Sequence, residues 1–153
     1  MLWIASADLK RLVDLAEASY PEEACALLVG RRGIADLYRV TRVEPAANVA
    51  PDRRRRFEVD PGLRMGLERE LRGGAEQVIG VWHSHPDGAP EPSAWDAENI
   101  HEPRLAWLIT ALAGGQALTS AAFVPAAAEL FGAAGGDGGN GFRAIGLGVG
   151  NDK

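Results

Sequence analysis

The sequence predicts a single α/β domain, built as a mixed β-sheet flanked by two or three helices. Two observations support this fold class. The chain has 153 residues, the ordinary size of one domain, and 46% of them are hydrophobic and 24% charged. Short apolar runs typical of buried strands also alternate along the chain with amphipathic segments typical of helices. We see no internal repeat.

Three helices are predicted, each begun by a residue that can cap a helix N-terminus. They are a helix over about residues 7–20 capped by Ser6, a helix from Asp60-Pro61 to Gly73-Gly74, and a helix opened by Ser93. In the last of these, Asp96 falls in the first turn. The first two carry leucines at helical spacing, which predicts one apolar face on each.

Strands are predicted where the sequence is apolar and bounded by glycine, proline or charged residues. They cover residues 24–29, 34–43, 57–59, 77–82 and 105–112, with further strands in 116–124 and 126–131. Residues 31–33 suggest a turn and residues 44–56 a loop. The glycine-rich stretch 132–141 is typical of a flexible linker, and residues 142–149 either return as a strand or trail as a tail. We therefore divide the chain into a main domain over residues 1–131 and a separate segment over residues 132–153.

Composition also narrows the function classes. No apolar run is long enough to span a bilayer, and the N-terminus lacks the pattern of a signal peptide. The single cysteine, Cys25, excludes an internal disulfide framework and is expected in a reducing cytoplasm. The formal net charge of −5 argues against a general nucleic-acid-binding protein.

Two of the three histidines lie two residues apart, at His83 and His85. On an extended strand these side chains project to the same face, while Ser84 points away. Eleven residues later, Asp96 lies at the start of a helix that can fold back over the strand end. Two imidazoles and one carboxylate form a three-ligand set with a fourth position left for water, and zinc suits it best.

The alternative to a metal site is that the histidines are two surface residues and the aspartate is a helix cap. The full pattern H-x-H-x7-S-x2-D arises by chance in roughly one in ten thousand chains of this length and composition, which favours the metal site. His101 has no such neighbours in the sequence. We interpret it as a surface or capping residue.

Hydrolysis at such a metal needs a general base and a donor to the oxyanion. Spacing leaves four carboxylates as candidates for the base. They are Glu22, Glu23, Glu91 and Glu98. Ser93 is a candidate oxyanion donor as well as a helix cap, and we expect the two roles to compete because one hydroxyl offers one donor.

These residues resemble the JAMM (MPN-plus) zinc metalloproteases, in particular their small bacterial stand-alone members. The resemblance covers about residues 5–112. It is carried, in matching order and spacing, by Pro21-Glu-Glu-Ala-Cys25, Phe57-Glu-Val-Asp-Pro61, Gly80-Val-Trp-His-Ser-His-Pro-Asp-Gly88 and Pro92-Ser-Ala-Trp-Asp96. It implies the MPN fold, with a cytidine-deaminase-like arrangement, for residues 1–131.

The resemblance also implies the roles of the site residues. By similarity, His83, His85 and Asp96 hold one Zn²⁺ per chain, Glu23 is the general acid and base, and Ser93 stabilises the oxyanion. The substrate class it implies is a ubiquitin-like sulfur-carrier protein ending in Gly-Gly, from which the enzyme releases an attached amino acid or short extension.

Other functions remain open. The alternatives of the same chemistry are a deubiquitinase-like isopeptidase and a small-peptide hydrolase. A non-catalytic MPN scaffold is the alternative of another class, and a RadC-like protein is a further one. The arginine run Arg53–Arg56 is interpreted as a solvated loop or as a patch that steers an acidic carrier protein. Cys25 is interpreted as a buried apolar residue rather than a nucleophile.

Overall fold

The computed structural model describes residues 1–126 and 141–151. Its elements confirm the mixed sheet with a few helices that the sequence predicts. The helices are α1 (Ser6–Ser19), α2 (Pro61–Leu71) and α3 (Ala94–Glu98). The strands are β1 (Leu2–Ala5), β2 (Cys25–Arg32), β3 (Tyr38–Ala46), β4 (Gln77–His85), β5 (Ala106–Ala113), β6 (Gln116–Pro125), β7 (Phe142–Ile145) and β8 (Leu147–Gly150).

All eight strands belong to one sheet, in the order β7-β6-β5-β4-β2-β3-β1-β8. The pairings β4–β5, β1–β3 and β1–β8 are parallel and the others antiparallel. β7 and β8 lie at opposite edges of the sheet, although Gly146 alone separates them in the chain. The sheet must therefore curl until its two edges meet at this residue.

Alternate residues of the central strands face two different cores, as the pleat of a strand requires. One face packs against α1, where Leu12 and Ala16 join a cluster that contains Leu28, Trp82 and Leu108. The opposite face carries α2 and α3. There, side chains form two smaller clusters. One includes Phe57, Val81, Trp107 and Ile109. The other lies below α2 and consists of Leu27, Val29 and Leu67.

Two local predictions need correction. Ser6 is the first residue of α1 rather than its cap, and its hydroxyl donates to the Gly150 carbonyl at 3.0 Å. Arg31 and Arg32 continue β2 instead of turning, because they pair with Arg39 and Tyr38 of β3. The turn falls later, between β2 and β3, where Ala35 and Asp36 adopt positive φ angles.

Other predicted elements differ in extent. The strand expected at residues 57–59 is reduced to a single bridge between Asn48 and Val59. Residues 142–149, left open between strand and tail, form β7 and β8. The expectations for residues 127–131 and 132–140 lie outside the described residues. Among the residues that are described, no helix is both long enough and apolar enough to cross a membrane.

Candidate metal centre

β4 places two imidazoles at the centre of the α2–α3 face of the sheet. His83 is completely buried and His85 is 8% exposed, and their Nε2 atoms lie 2.9 Å apart. Ser84 points to the other face, where its hydroxyl accepts a hydrogen bond from the Ala24 amide at 2.8 Å. The period of two along a strand thus brings both ring nitrogens to one point.

The start of α3 supplies a carboxylate to the same point. Asp96 Oδ2 lies 3.2 Å from Nε2 of each histidine. Ser93 precedes the helix, and its amide donates to the same Oδ2 at 2.8 Å, while the Asp96 amide donates to Ser93 Oγ at 3.1 Å. This reciprocal capping box anchors the carboxylate against the end of β4.

Neighbouring groups also orient the two rings. His85 Nδ1 lies 2.9 Å from the Ala89 carbonyl, which can only accept, so Nδ1 carries the hydrogen. That tautomer leaves a lone pair on Nε2, directed at His83 and Asp96. The His83 ring stacks on Phe57, with a centroid distance of 4.2 Å and an interplanar angle of 17°.

Glu23 lies two residues before the start of β2 and is the second carboxylate near the histidines. It is 6% exposed, and one of its carboxylate oxygens lies within 4.8 Å of a ring nitrogen of each of His83 and His85. Glu22, by contrast, is only half-buried, and it pairs with Arg53 at 3.3 Å. Glu91 and Glu98 are exposed. Burial and distance therefore distinguish Glu23 among the four candidate carboxylates.

Burial, hydrogen bonds and neighbouring charges shift the pKa values of the groups at this centre. Burial raises the pKa of Glu23 to about 8, although nearby His85 opposes the shift. Burial would also raise the pKa of Asp96, but hydrogen bonds with His83 and His85 outweigh it and hold the pKa below its usual range. Burial lowers the pKa of His83, which favours the neutral ring that metal coordination needs.

The donor set fits a divalent metal ion. Ligands 2.0–2.1 Å from a tetrahedral zinc ion lie roughly 3.3 Å from one another. The three separations among His83 Nε2, His85 Nε2 and Asp96 Oδ2 are 2.9, 3.2 and 3.2 Å. Glu23 has an oxygen within 4.8 Å of a ring nitrogen of each histidine, and its Oε1 is buried with no hydrogen-bond partner among the described residues. Its carboxylate is thus placed to act beside the ligand set.

Ser93 can combine the two roles proposed for it. In the cap, its oxygen accepts from the Asp96 amide, so the hydroxyl hydrogen remains available to another acceptor. We expected the roles to compete. The geometry of the cap removes that conflict, because capping uses a lone pair of the hydroxyl and the proposed oxyanion contact would use its hydrogen.

Two depressions adjoin the centre. A cleft of about 430 Å³ is lined by residues that include Glu23, His85, Ser93, Arg54 and Arg55. A larger groove of about 630 Å³ has a mainly apolar lining, to which Phe57, Val59, Trp95 and Trp107 contribute. Phe57 connects the groove to the histidines, since its ring lines the groove and stacks on His83.

Two other residues that the sequence brought to attention, His101 and Cys25, lie outside the set of proposed ligands. His101 is exposed and lines the apolar groove. Cys25 is fully buried, and its Sγ lies 3.7 Å from the carbonyls of Ala46 and Ala47. Burial raises the pKa of this thiol to about 12, as expected for a packing residue rather than a nucleophile.

The sequence pattern did not indicate that Asn48 belongs to the site. Its amide nitrogen donates to the carbonyls of Glu23 at 2.9 Å and Arg56 at 3.0 Å, and its Oδ1 accepts from the amides of Ala50 and Glu58. Asn48 therefore holds the backbone of the proposed base against the arginine loop. An asparagine inside a proline-containing loop was the available signal, but the sequence does not reveal its long-range partners.

Comparisons with known proteins show which family this chain is similar to. A family model described as prokaryotic homologs of the JAB domain matches residues 6–124. Desampylase from Haloferax volcanii is 34% identical over 89 residues, which make up 58% of this chain and 62% of that protein. The matched region thus spans less than two thirds of that relative's length.

Solved structures show the same fold. A protein from Desulfitobacterium hafniense superposes with a TM-score of 0.78 at 24% identity, covering 99% of this chain and 94% of the other. A protein from Salinibacter ruber gives 0.66 at 25% identity, with coverages of 97% and 91%. A JAB1/MPN domain protein from Archaeoglobus fulgidus gives 0.59 at 16% identity, with coverages of 99% and 100%. Because the family model matches most of the sequence, this chain belongs to the prokaryotic JAB-domain family.

Proposed function

We propose that this protein is a metal-dependent hydrolase that cuts an amide bond after the C-terminal Gly-Gly of a ubiquitin-like sulfur-carrier protein. The observation that carries the chemistry is the buried Glu23 carboxylate, within 4.8 Å of ring nitrogens of His83 and His85. In this proposal His83, His85 and Asp96 are the ligands of one zinc ion. Glu23 is the general acid and base, and Ser93 is the oxyanion donor.

The proposed reaction adds water across the amide C–N bond, so that the carbonyl carbon gains a hydroxyl group and the nitrogen gains a proton. Glu23 takes a proton from the attacking water and delivers it to the leaving nitrogen. The Ser93 hydroxyl donates to the carbonyl oxygen as that oxygen gains negative charge. A divalent ion on the three ligands would polarise the carbonyl, lower the pKa of the attacking water toward about 7 and lower the pKa of Glu23.

Two observations support a protein with a slim tail as the substrate. The name desampylase implies that the relative from Haloferax volcanii acts on a ubiquitin-like modifier. In this chain, the groove of about 630 Å³ begins beside Phe57, one ring away from His83. Its lining is mainly apolar, and a Gly-Gly tail has no side chains to obstruct an extended path to the ligand set.

Intact-mass spectrometry tests this function directly. A diglycine-ended carrier with a short C-terminal extension is incubated with zinc-loaded wild-type protein, with Glu23→Gln, and with wild-type protein plus chelator. Glu22→Gln is the matched control, since this neighbouring carboxylate is only half-buried and pairs only with Arg53 among the described residues. We expect the extension to be lost with wild-type protein and Glu22→Gln alone.

The other outcomes are equally informative. Cleavage that survives Glu23→Gln would contradict the role of Glu23. No cleavage of any diglycine-ended carrier by zinc-loaded protein would exclude this substrate class. Isopeptide-linked proteins and small peptides would then be the substrates to test.

A further inference from the structure

The arginine run at residues 53–56 adjoins the proposed catalytic centre. Its two middle members, Arg54 and Arg55, line the cleft of about 430 Å³ together with Glu23, His85 and Ser93. Arginines that only interact with solvent would not need to lie beside these three residues. The position of these two guanidinium groups beside the reacting centre suggests a role in binding the substrate.

Hydrogen bonds fix this loop relative to Glu23. The Glu23 amide donates to the Arg53 carbonyl at 2.7 Å. Asn48 donates to the carbonyls of both Glu23 and Arg56, so the run is attached at its two ends. Within the run, the amides of Arg55 and Arg56 donate to the Asp52 carbonyl at 3.2 and 3.0 Å, which forms a turn. The backbone of Arg54 and Arg55 is therefore held at a set distance from the proposed base.

The two arginines also have free hydrogen-bonding capacity. Arg53 pairs with Glu22, but in the described part of the chain Arg54 forms no ion pair. Arg55 is 4.0 Å from Asp52 and its side chain is 85% exposed. Glu91 is an acidic group of the same cleft, and it is exposed. A carboxylate entering the cleft would thus meet two guanidinium groups that can bind it with paired hydrogen bonds.

The mechanism shows which part of the substrate would occupy this cleft. Glu23 must deliver its proton to the leaving nitrogen, so the leaving group has to lie on the side of the metal where Glu23 is accessible. The cleft is that side, because Glu23 forms part of its wall. The cleft is also small, which suits an amino acid or a dipeptide rather than a folded protein.

We propose that Arg54 and Arg55 bind the free α-carboxylate of the leaving group and so make the enzyme specific for C-terminal extensions of one or two residues. This inference rests on the proposed function and adds the residues that select the leaving group. A lysine isopeptide places no carboxylate at this distance from the scissile bond. Such linkages are therefore cut less well than a short C-terminal extension.

The test compares two short fluorescein-labelled peptides that end in Gly-Gly-Ala, one with a free C-terminal carboxylate and one with a C-terminal amide. Binding is measured by fluorescence anisotropy at low salt to zinc-loaded Glu23→Gln protein, which separates binding from turnover. We expect the carboxylate peptide to bind about tenfold more tightly. Arg54→Gln/Arg55→Gln should abolish this preference.

Arg69→Gln/Arg72→Gln is the matched control. It removes the same charge from exposed residues outside both the cleft and the groove, so the preference should persist. In parallel, kcat/KM on both peptides is measured with the active protein. Efficient cleavage of the two peptides, without preference in wild type, would overturn the carboxylate subsite and leave the proposed function intact.

The reverse result separates the two proposals as well. Absence of cleavage, with a carboxylate preference in binding that depends on Arg54 and Arg55, would contradict the proposed reaction and support the subsite. Equal binding of the two peptides, or no measurable binding of either, would overturn the subsite. An equal loss of affinity for both peptides in Arg54→Gln/Arg55→Gln would do the same, since it would show general charge attraction only.

Discussion

Ser93 and Asp96 cap the first turn of α3 reciprocally, and the oxygen that completes the cap is the oxygen that faces the histidines. Asp96 Oδ2 accepts the Ser93 amide at 2.8 Å and lies 3.2 Å from Nε2 of His83 and of His85. A local helix-capping motif thus determines where the third proposed ligand lies. Asp96 is 1% exposed, so a misplaced carboxylate at this position would have few polar partners to replace the histidines.

Replacing Ser93 with alanine should affect stability and catalysis separately. Loss of the cap should reduce the free energy of unfolding by about 1 kcal/mol. Loss of the hydroxyl donor should lower kcat by about 10²–10³-fold, while the three metal ligands are retained. Urea unfolding and steady-state kinetics measure the two effects.

Ser93→Thr is the control, because threonine keeps both the acceptor oxygen and the donor hydrogen. It should restore most of the activity. If Ser93→Ala unfolds at lower urea concentration but keeps its kcat, Ser93 is a helix cap and has no part in the chemistry.

Because the pKa of Glu23 is raised, the metal-free protein should become less stable as the pH rises. The pKa is about 8 in the folded chain, against 4.5 for an ordinary glutamate. The folded state therefore binds this proton more tightly than the unfolded state. The resulting stabilisation is complete below about pH 4.5 and is lost as the pH rises through 8. In chelator-treated protein, Glu23→Gln should therefore gain stability over wild type, on the order of 2–4 kcal/mol, between pH 5 and pH 8.

Urea unfolding of both proteins at the two pH values gives this difference, and groups common to both cancel from it. Glu22→Gln provides the comparison with a carboxylate that is only half-buried. A gap between Glu23→Gln and wild type that stays constant with pH would show that Glu23 is not held in a desolvated environment.

Cys25 should be unreactive in the folded protein. Its side chain is fully buried, and burial, followed by the charge of Glu23, raises the pKa of the thiol to about 12. At pH 8 almost none of it is thiolate, which is the form that reacts with iodoacetamide. Mass spectrometry should show slow labelling in buffer and rapid labelling in guanidinium chloride. Rapid labelling of the folded chain would contradict the packing role.

The centre of the sheet could be predicted because its signals are local. Alternation along one strand places His83 and His85 on the same face, and a capping residue three positions before Asp96 predicts a helix start at the right place. The apolar runs that became β2, β4 and β5 are buried on both faces, and such runs are recognisable without any knowledge of their partners.

The remaining features depend on contacts between distant segments. β1 was not predicted, because four residues form a strand there only by pairing with β3 and β8. The Ser6 prediction was wrong for the same reason, since its hydroxyl bonds to Gly150. Spacing could not distinguish Glu23 from Glu22, and the family resemblance alone selected Glu23; in the structure the two residues differ in burial. The arginine loop is positioned by Asn48, whose partners lie up to 25 residues away.

Metal analysis of purified variants tests the central claim most directly. Wild type, Asp96→Asn and Glu23→Gln are each equilibrated with zinc, passed through a desalting column and analysed by inductively coupled plasma mass spectrometry. We predict about one zinc ion per chain in wild type and Glu23→Gln, and far less in Asp96→Asn, because the proposed ligand is the Asp96 carboxylate, 3.2 Å from both histidines, and Glu23 is the proposed base. A wild-type chain that retains no metal, or a Glu23→Gln chain that loses it while Asp96→Asn keeps it, would contradict this account.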